Sequence, residues 1–179
     1  MAGQTTRVGI GYDVHGFAEP EAGRTLMLGG VAIPHDRGLA GHSDADVLLH
    51  ALVDALLGAA ALGDIGAHFP SSDPRWQNAP SHAFLTYTLD LLRAQGWEIG
   101  NIDATVVAER PRLAPHISAI CAWLARALGV PLERVSVKSK TTDGLGFTGR
   151  GEGVACYVVA LIERSYALPP SQDGKGIGG

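Results

Sequence analysis

Asp13 and His15 stand two residues apart in the stretch GYDVHG, and in an extended chain that spacing sends both side chains to one face. A second set, Asp46, His50 and Asp54, recurs at i, i+4 and i+8 within SDADVLLHALVDALLG, which makes one polar stripe along a helix. The stripe carries no lysine or arginine, and His50 is flanked by Leu48, Leu49, Ala51 and Leu52. Asp13, His15 and His50 are three ligands of the types zinc takes, and three ligands with a fourth position open is the catalytic rather than the structural arrangement. Asp46 or Asp54 would then orient an imidazole from behind. The competing reading is a solvent-facing stripe and a strand end entering a turn.

Two further stretches have chemical character. KSKTTDGLGFTGRGEG, from Lys138 to Gly153, satisfies G-x-G-x-x-G at Gly144, Gly146 and Gly149. No convincing helix follows and the chain ends before another βαβ unit could form, so the dinucleotide-binding context is missing. Its glycines, Lys140, Thr141, Thr142 and Arg150 would still suit a phosphate, through N–H groups, hydroxyls and cations; the alternative is a plain hairpin connection. In GDIGAHFP, Asp64 follows a helix C-terminus, where the dipole disfavours a carboxylate. It reads either as a turn aspartate or as an acceptor for a polyol or water.

The elements that must position these groups follow from periodicity and punctuation. Val8, Ile10, Tyr12 and Val14 alternate with Gly9, Gly11, Asp13 and His15, giving a first strand with an apolar and a chemical face. A hairpin spans Thr25–Ile33, broken at Gly29-Gly30. Ser43 is the expected N-cap of a helix running to about Leu62 and stopping at Gly63, with Asp46 three residues after the cap. Helices are predicted over Ser81–Gln95 and Pro115–Leu128, and strands over Trp97–Glu109, Glu133–Lys140 and Val154–Ile162. Strands and helices do not alternate strictly, so the expected class is α+β: a roughly four-stranded mixed sheet plus a small hairpin, with helices on one face. The other face is left for an oligomer interface or a ligand.

The chain has 179 residues, 46% of them hydrophobic, and a net charge of −4. That suits a single domain over 1–168 with a tail, 169–179, too polar and glycine-rich to fold. The charge gives no reason to expect nucleic acid or an anionic membrane as partner. No signal peptide or spanning segment is apparent, and Cys121 and Cys156 read as buried thiols in a reducing compartment, so a cytoplasmic protein is expected.

With GYDVHGF, GHSDADVLLHALVDALLGAAALGDIG and GLGFTGRGEG in this order, the chain resembles the 2-C-methyl-D-erythritol 2,4-cyclodiphosphate synthases of the non-mevalonate isoprenoid pathway, from about Arg7 to Leu161. The resemblance implies a homotrimer with its sheets facing the axis and its sites between neighbouring subunits. The substrate would be 4-diphosphocytidyl-2-C-methyl-D-erythritol 2-phosphate, and the products the cyclic diphosphate and CMP. Zinc would sit on Asp13, His15 and His50, with a second divalent ion, magnesium or manganese, bridging the diphosphate at Asp143. By the same resemblance His42 and Thr141 are the catalytic donors, with Ser43 beside them on the phosphates. Asp64 and Gly66 hold the erythritol, and Ile65, Phe69 and Asp73 are further substrate contacts. Ala108, Pro111, Arg112, Leu113 and Ala114 receive the cytidine, largely through backbone. Lys140, Thr142, Asp143, Phe147 and Arg150 complete the substrate contacts.

Three positions depart from the family pattern. Asp143 replaces the usual glutamate, Arg110 and Arg112 stand where small or lysine residues are common, and Ser71 replaces an acidic residue. The glycines of GYDVHG read as room for substrate. Arg150 and Glu152 would border a cavity on the trimer axis, which isoprenoid diphosphates occupy in relatives; an ion pair between subunits is the simpler expectation for them. A zinc phosphohydrolase and a non-catalytic cytidine-nucleotide module are the rival readings.

Overall fold

The computed structural model describes residues 2–41, 43–70, 72–76 and 79–167. His42, Ser71 and the tail 169–179 lie outside them. The architecture is α+β. Strands β1 (Ala2–Gly16), β4 (Glu98–Val107), β5 (Val135–Lys140) and β6 (Gly153–Ala167) form one sheet in the order β1-β6-β4-β5, and β2 (Leu26–Leu28) and β3 (Val31–Ile33) form the separate hairpin. β6 runs antiparallel to both β1 and β4, whereas β4 and β5 are parallel. A parallel pair needs a crossover, and α4 (Ile117–Leu128) supplies it, ending at Gly129 in the left-handed region with φ 70°.

Helix α1 (Val47–Ala60) is the core of the molecule: 11 of its residues are buried. It lies against β1, and the contact is set by two glycines. A Cβ on Gly9 would stand 2.0 Å from the Ala55 carbonyl oxygen, and one on Gly11 1.9 Å from that of Ala51. Gly11 is therefore room for a helix backbone and not for substrate, correcting the expectation for GYDVHG. The alternating apolar face of β1 turns outward instead: Val8 is 62% exposed and Ile10 70%, with Tyr12, Val14, Tyr157 and Val159 beside them.

The cap of α1 also differs from expectation. Asp46, not Ser43, is the N-cap, its carboxylate accepting from the N–H groups of Leu48 and Leu49. The same carboxylate accepts from Gly29 and Gly30 at 2.8 and 2.7 Å, tying the β2–β3 turn to the helix. Asp46 is fully buried. Burial pushes its carboxyl up, opposed by these N–H donors. Position i of the predicted polar stripe is thus a structural cap, and Asp46 does not orient an imidazole. Cys156 is buried as expected, while Cys121 is only half-buried.

Candidate active site

β1 and α1 bring Asp13, His15 and His50 to one point. His15 Nε2 lies 3.0 Å from Asp13 Oδ2, His50 Nδ1 lies 3.1 Å from the same oxygen, and the two nitrogens are 3.1 Å apart. Three acceptor-capable atoms packed this closely need either shared protons or a cation between them. A tetrahedral ion with ligand bonds of about 2.0–2.2 Å would hold its ligands roughly 3.4 Å apart, close to this triangle. The donor set and its spacing therefore fit a metal ion, and among the described residues this is the one group of three or more such side chains that does.

The two remaining ring nitrogens are also engaged. His15 Nδ1 donates to the Ala40 carbonyl at 2.8 Å, and His50 Nε2 lies 2.9 Å from Ser81 Oγ. Burial would raise the Asp13 carboxyl, but hydrogen bonds and charge from His15 and His50 bring it down to about 2. His15 is the mirror case. Burial would lower its pKa, yet Asp13 and the Ala40 carbonyl raise it above the ordinary histidine value. The Asp13 carboxylate and the His15 imidazole thus each favour the other's charged form.

The neighbouring acids have other tasks. Asp54 Oδ1 accepts from the Ile65 N–H at 2.7 Å and reaches neither imidazole, so it does not orient one. Burial, together with Asp64 and Asp13, raises its carboxyl against that hydrogen bond. Asp64 is the N-cap of α2 (Ile65–His68), accepting from Ala67 N at 2.8 Å. It therefore stands at a favourable helix end, the reverse of the expected dipole clash. Ile65 and Gly66 follow it on α2. Phe69 is not presented to a ligand: its ring is buried against Trp76, Phe84 and Tyr87. Asp73 pairs with the exposed Arg75 at 2.6 Å. Ser43 Oγ accepts from Ala45 N and lies 3.4 Å from His50 Nε2.

A second centre is formed where β4 and β5 end. A cavity of about 710 Å³ is lined by Ala108, Pro111, Arg112, Leu113 and Ala114 from one loop and by Lys140 and Thr141 from the other, with His35, Glu109, Arg110 and Ser139. That volume suits a nucleotide-sized ligand. Leu113 is buried in the core, so only its backbone is on offer. None of the metal-site triad lines this cavity.

The glycine-dense loop folds on itself. Thr142 Oγ1 donates to the Leu145 carbonyl at 2.6 Å, α5 (Gly146–Gly149) makes one turn, and a Cβ on Gly149 would stand 2.2 Å from the Gly144 backbone. The G-x-G-x-x-G spacing thus serves a tight turn. Thr142 holds that turn, and Phe147 is half-buried in it. Asp143, at φ 52°, is exposed, accepts from the Thr141 hydroxyl at 3.2 Å, and is not gathered with the triad. Arg150 pairs with Glu152 at 2.6 Å within the chain, where a pair between subunits was expected.

Asp44 and Ser81, which no motif in the sequence singles out, stand behind His50. Ser81 donates its hydroxyl to Asp44 Oδ1, and its backbone N–H to the same oxygen at 3.0 Å. Their signal in the sequence is weak: a serine opening α3 (Ser81–Ala94) after Pro80, and an acid two residues before the Asp46 cap.

The YgbB family model matches residues 6–163. The chain is 58% identical to 2-C-methyl-D-erythritol 2,4-cyclodiphosphate synthase of Syntrophobacter fumaroxidans over 87% of its own length and 96% of the relative's. It is 56% identical to the synthase of Pseudomonas paraeruginosa, over 87% and 98%. A solved 2C-methyl-D-erythritol-2,4-cyclodiphosphate synthase in a CDP-bound form superposes with a TM-score of 0.80 at 38% identity, covering 87% of this chain and 99% of that one.

Proposed function

The chain belongs to the YgbB family, and from that premise we propose how its residues carry out cyclodiphosphate synthesis, the conversion of 4-diphosphocytidyl-2-C-methyl-D-erythritol 2-phosphate to the 2,4-cyclodiphosphate and CMP. It is an enzyme of the non-mevalonate isoprenoid pathway. The observation that carries the site assignment is the convergence of Asp13 Oδ2, His15 Nε2 and His50 Nδ1 within 3.1 Å of one another.

The nucleophile is the substrate's own 2-phosphate, whose second pKa is about 6, so near neutrality no protein base has to deprotonate it. Its oxygen forms a bond to the β-phosphorus while the bond from that phosphorus to the CMP oxygen breaks, and CMP leaves with the electron pair. The difficulty is bringing one anion onto another in line, a problem of positioning and charge. A divalent ion on Asp13, His15 and His50 supplies Lewis-acid neutralisation of phosphate charge when bound. Two imidazoles, one carboxylate and an open position favour zinc there. Thr141 and Lys140 donate to the phosphates from the cavity wall and Ser43 does so beside the triad, with His42 as a further donor. Backbone groups of Ala108–Ala114 receive the cytosine, and Asp64 with Gly66 the erythritol. Asp143 is the carboxylate available to a second cation, magnesium or manganese, once the diphosphate is in place.

The triad and the cavity are separate centres in one copy, and the open apolar face of β1 and β6 supports assembly into a homotrimer in which they meet between copies. An isoprenoid diphosphate on the axis would meet Arg150 already paired to Glu152, so its binding would compete with that pair. The sheet and its helices share one core, which supports a single domain over 1–168. Two free thiols suit the cytoplasm; among the described residues no helix is long and apolar enough to cross a membrane.

The test is incubation with the diphosphocytidyl substrate, with and without a chelator, followed by ³¹P NMR. Cyclic diphosphate with CMP, lost on chelation, is expected. Free phosphate would instead make the protein a hydrolase, and nucleotide binding without turnover would make it a binding module.

A further inference from the structure

We propose that Ser81, backed by Asp44, is a positioning residue that fixes which nitrogen of His50 is free to bind a metal. This rests on the reading of Asp13, His15 and His50 as a metal site. An ionised carboxylate only accepts hydrogen bonds. Asp44 Oδ1 takes both the Ser81 backbone N–H, at 3.0 Å, and the Ser81 hydroxyl. The hydroxyl proton is therefore committed, and Ser81 Oγ has only lone pairs left to offer. His50 Nε2, 2.9 Å away, must carry the hydrogen between them. In a neutral imidazole that leaves Nδ1 as the lone pair for a metal, against the pull of the Asp13 carboxylate, which lies 3.1 Å from Nδ1 and takes the hydrogen from it in the other tautomer.

Ser81 is completely buried, so water does not compete for its oxygen. Ser43 Oγ makes the longer contact, 3.4 Å from the same nitrogen and 3.4 Å from Ser81 Oγ, so Ser81 at 2.9 Å is the nearer partner. The two ligand histidines are consequently held in opposite tautomers by separate devices. His15 keeps its hydrogen on Nδ1 through the Ala40 carbonyl and binds through Nε2; His50 keeps its hydrogen on Nε2 through Ser81 and binds through Nδ1. Second partners of this kind are worth about 10–100-fold in metal affinity.

Long-range ¹H–¹⁵N NMR of the metal-free full chain, at a pH where both rings are neutral, reads the tautomer directly. The Nε2–H form of His50 is expected, with a shift towards Nδ1–H, donated to Asp13, in Ser81→Ala; an Nδ1–H form in the unaltered chain overturns the proposal. Zinc affinity, measured by competition with a chromophoric chelator, gives the second readout. Ser81→Ala should bind zinc about 10–100-fold more weakly, while Ser81→Thr, which keeps the hydroxyl, recovers most of that loss. Unchanged zinc affinity in a folded Ser81→Ala protein overturns the proposal. Should that variant not fold, the NMR measurement on the unaltered chain still decides. A wild-type protein that binds no zinc would sink the metal-site reading, yet the tautomer result would stand separately.

Discussion

His15 carries two opposed demands, and they make the site pH-dependent in a definite sense. Its pKa in the metal-free fold is raised above 6.5 by Asp13 and the Ala40 carbonyl, against the effect of burial. The proton on His15 therefore stabilises the metal-free fold fully below pH 6.5, and that contribution is lost as pH rises through the raised value. Metal binding requires the proton to leave, while Asp13, at about 2, remains a carboxylate throughout. Adding zinc should raise the melting temperature much more at about pH 8 than at about pH 5.5. Equal increments at the two pH values would show that His15 is not a ligand. The three candidate ligands are legible in the sequence because strand and helix periodicities each present a defined face. The imidazole partners are not, since a backbone carbonyl and a serine 31 positions from His50 leave no local pattern.

At the scale of elements, the docking of α1 on β1 is decided by where a methyl group is absent. Gly11→Ala would push a Cβ into the Ala51 carbonyl and should destabilise the fold by at least about 2 kcal/mol. Gly58 lies in the last turn of α1, and a Cβ there meets nothing within 4 Å. Gly58→Ala should stabilise the fold by about 0.5–1 kcal/mol, as loss of glycine freedom in a helix dictates. Denaturant midpoints of the two variants check both signs; a tolerated Gly11→Ala would mean that the helix does not approach the strand this closely. The order of elements was readable because each helix and strand has its own period and punctuation. Which face of β1 is buried was not: alternation tells which residues share a face, and here the apolar set faces out because glycines are what fits beneath a helix backbone. The true cap was similarly hidden. Ser43 and Asp46 are both good capping residues, and only the turn at Gly29-Gly30, brought in by tertiary folding, favours the aspartate.

For the whole molecule, the exposed stripe of Val8, Ile10, Tyr12 and Val14, with the Tyr12 ring tilted against Tyr157 at 4.7 Å between centroids, is the surface expected to be covered by further copies. Ile10→Asp should yield a folded monomer that still binds zinc through its own triad but has lost turnover. An active monomer would show that one copy suffices. Composition could not reveal this division, because the triad and the cavity at the ends of β4 and β5 each look complete as local sites and only the fold shows them apart. The most direct measurement mixes two inactive proteins, His50→Ala and Thr141→Ala, by joint refolding at equal amounts. If each site combines the triad of one copy with the cavity of a neighbour, random trimers should regain about one quarter of wild-type activity. A mixture no more active than either variant alone would place the whole site within one copy and contradict the account.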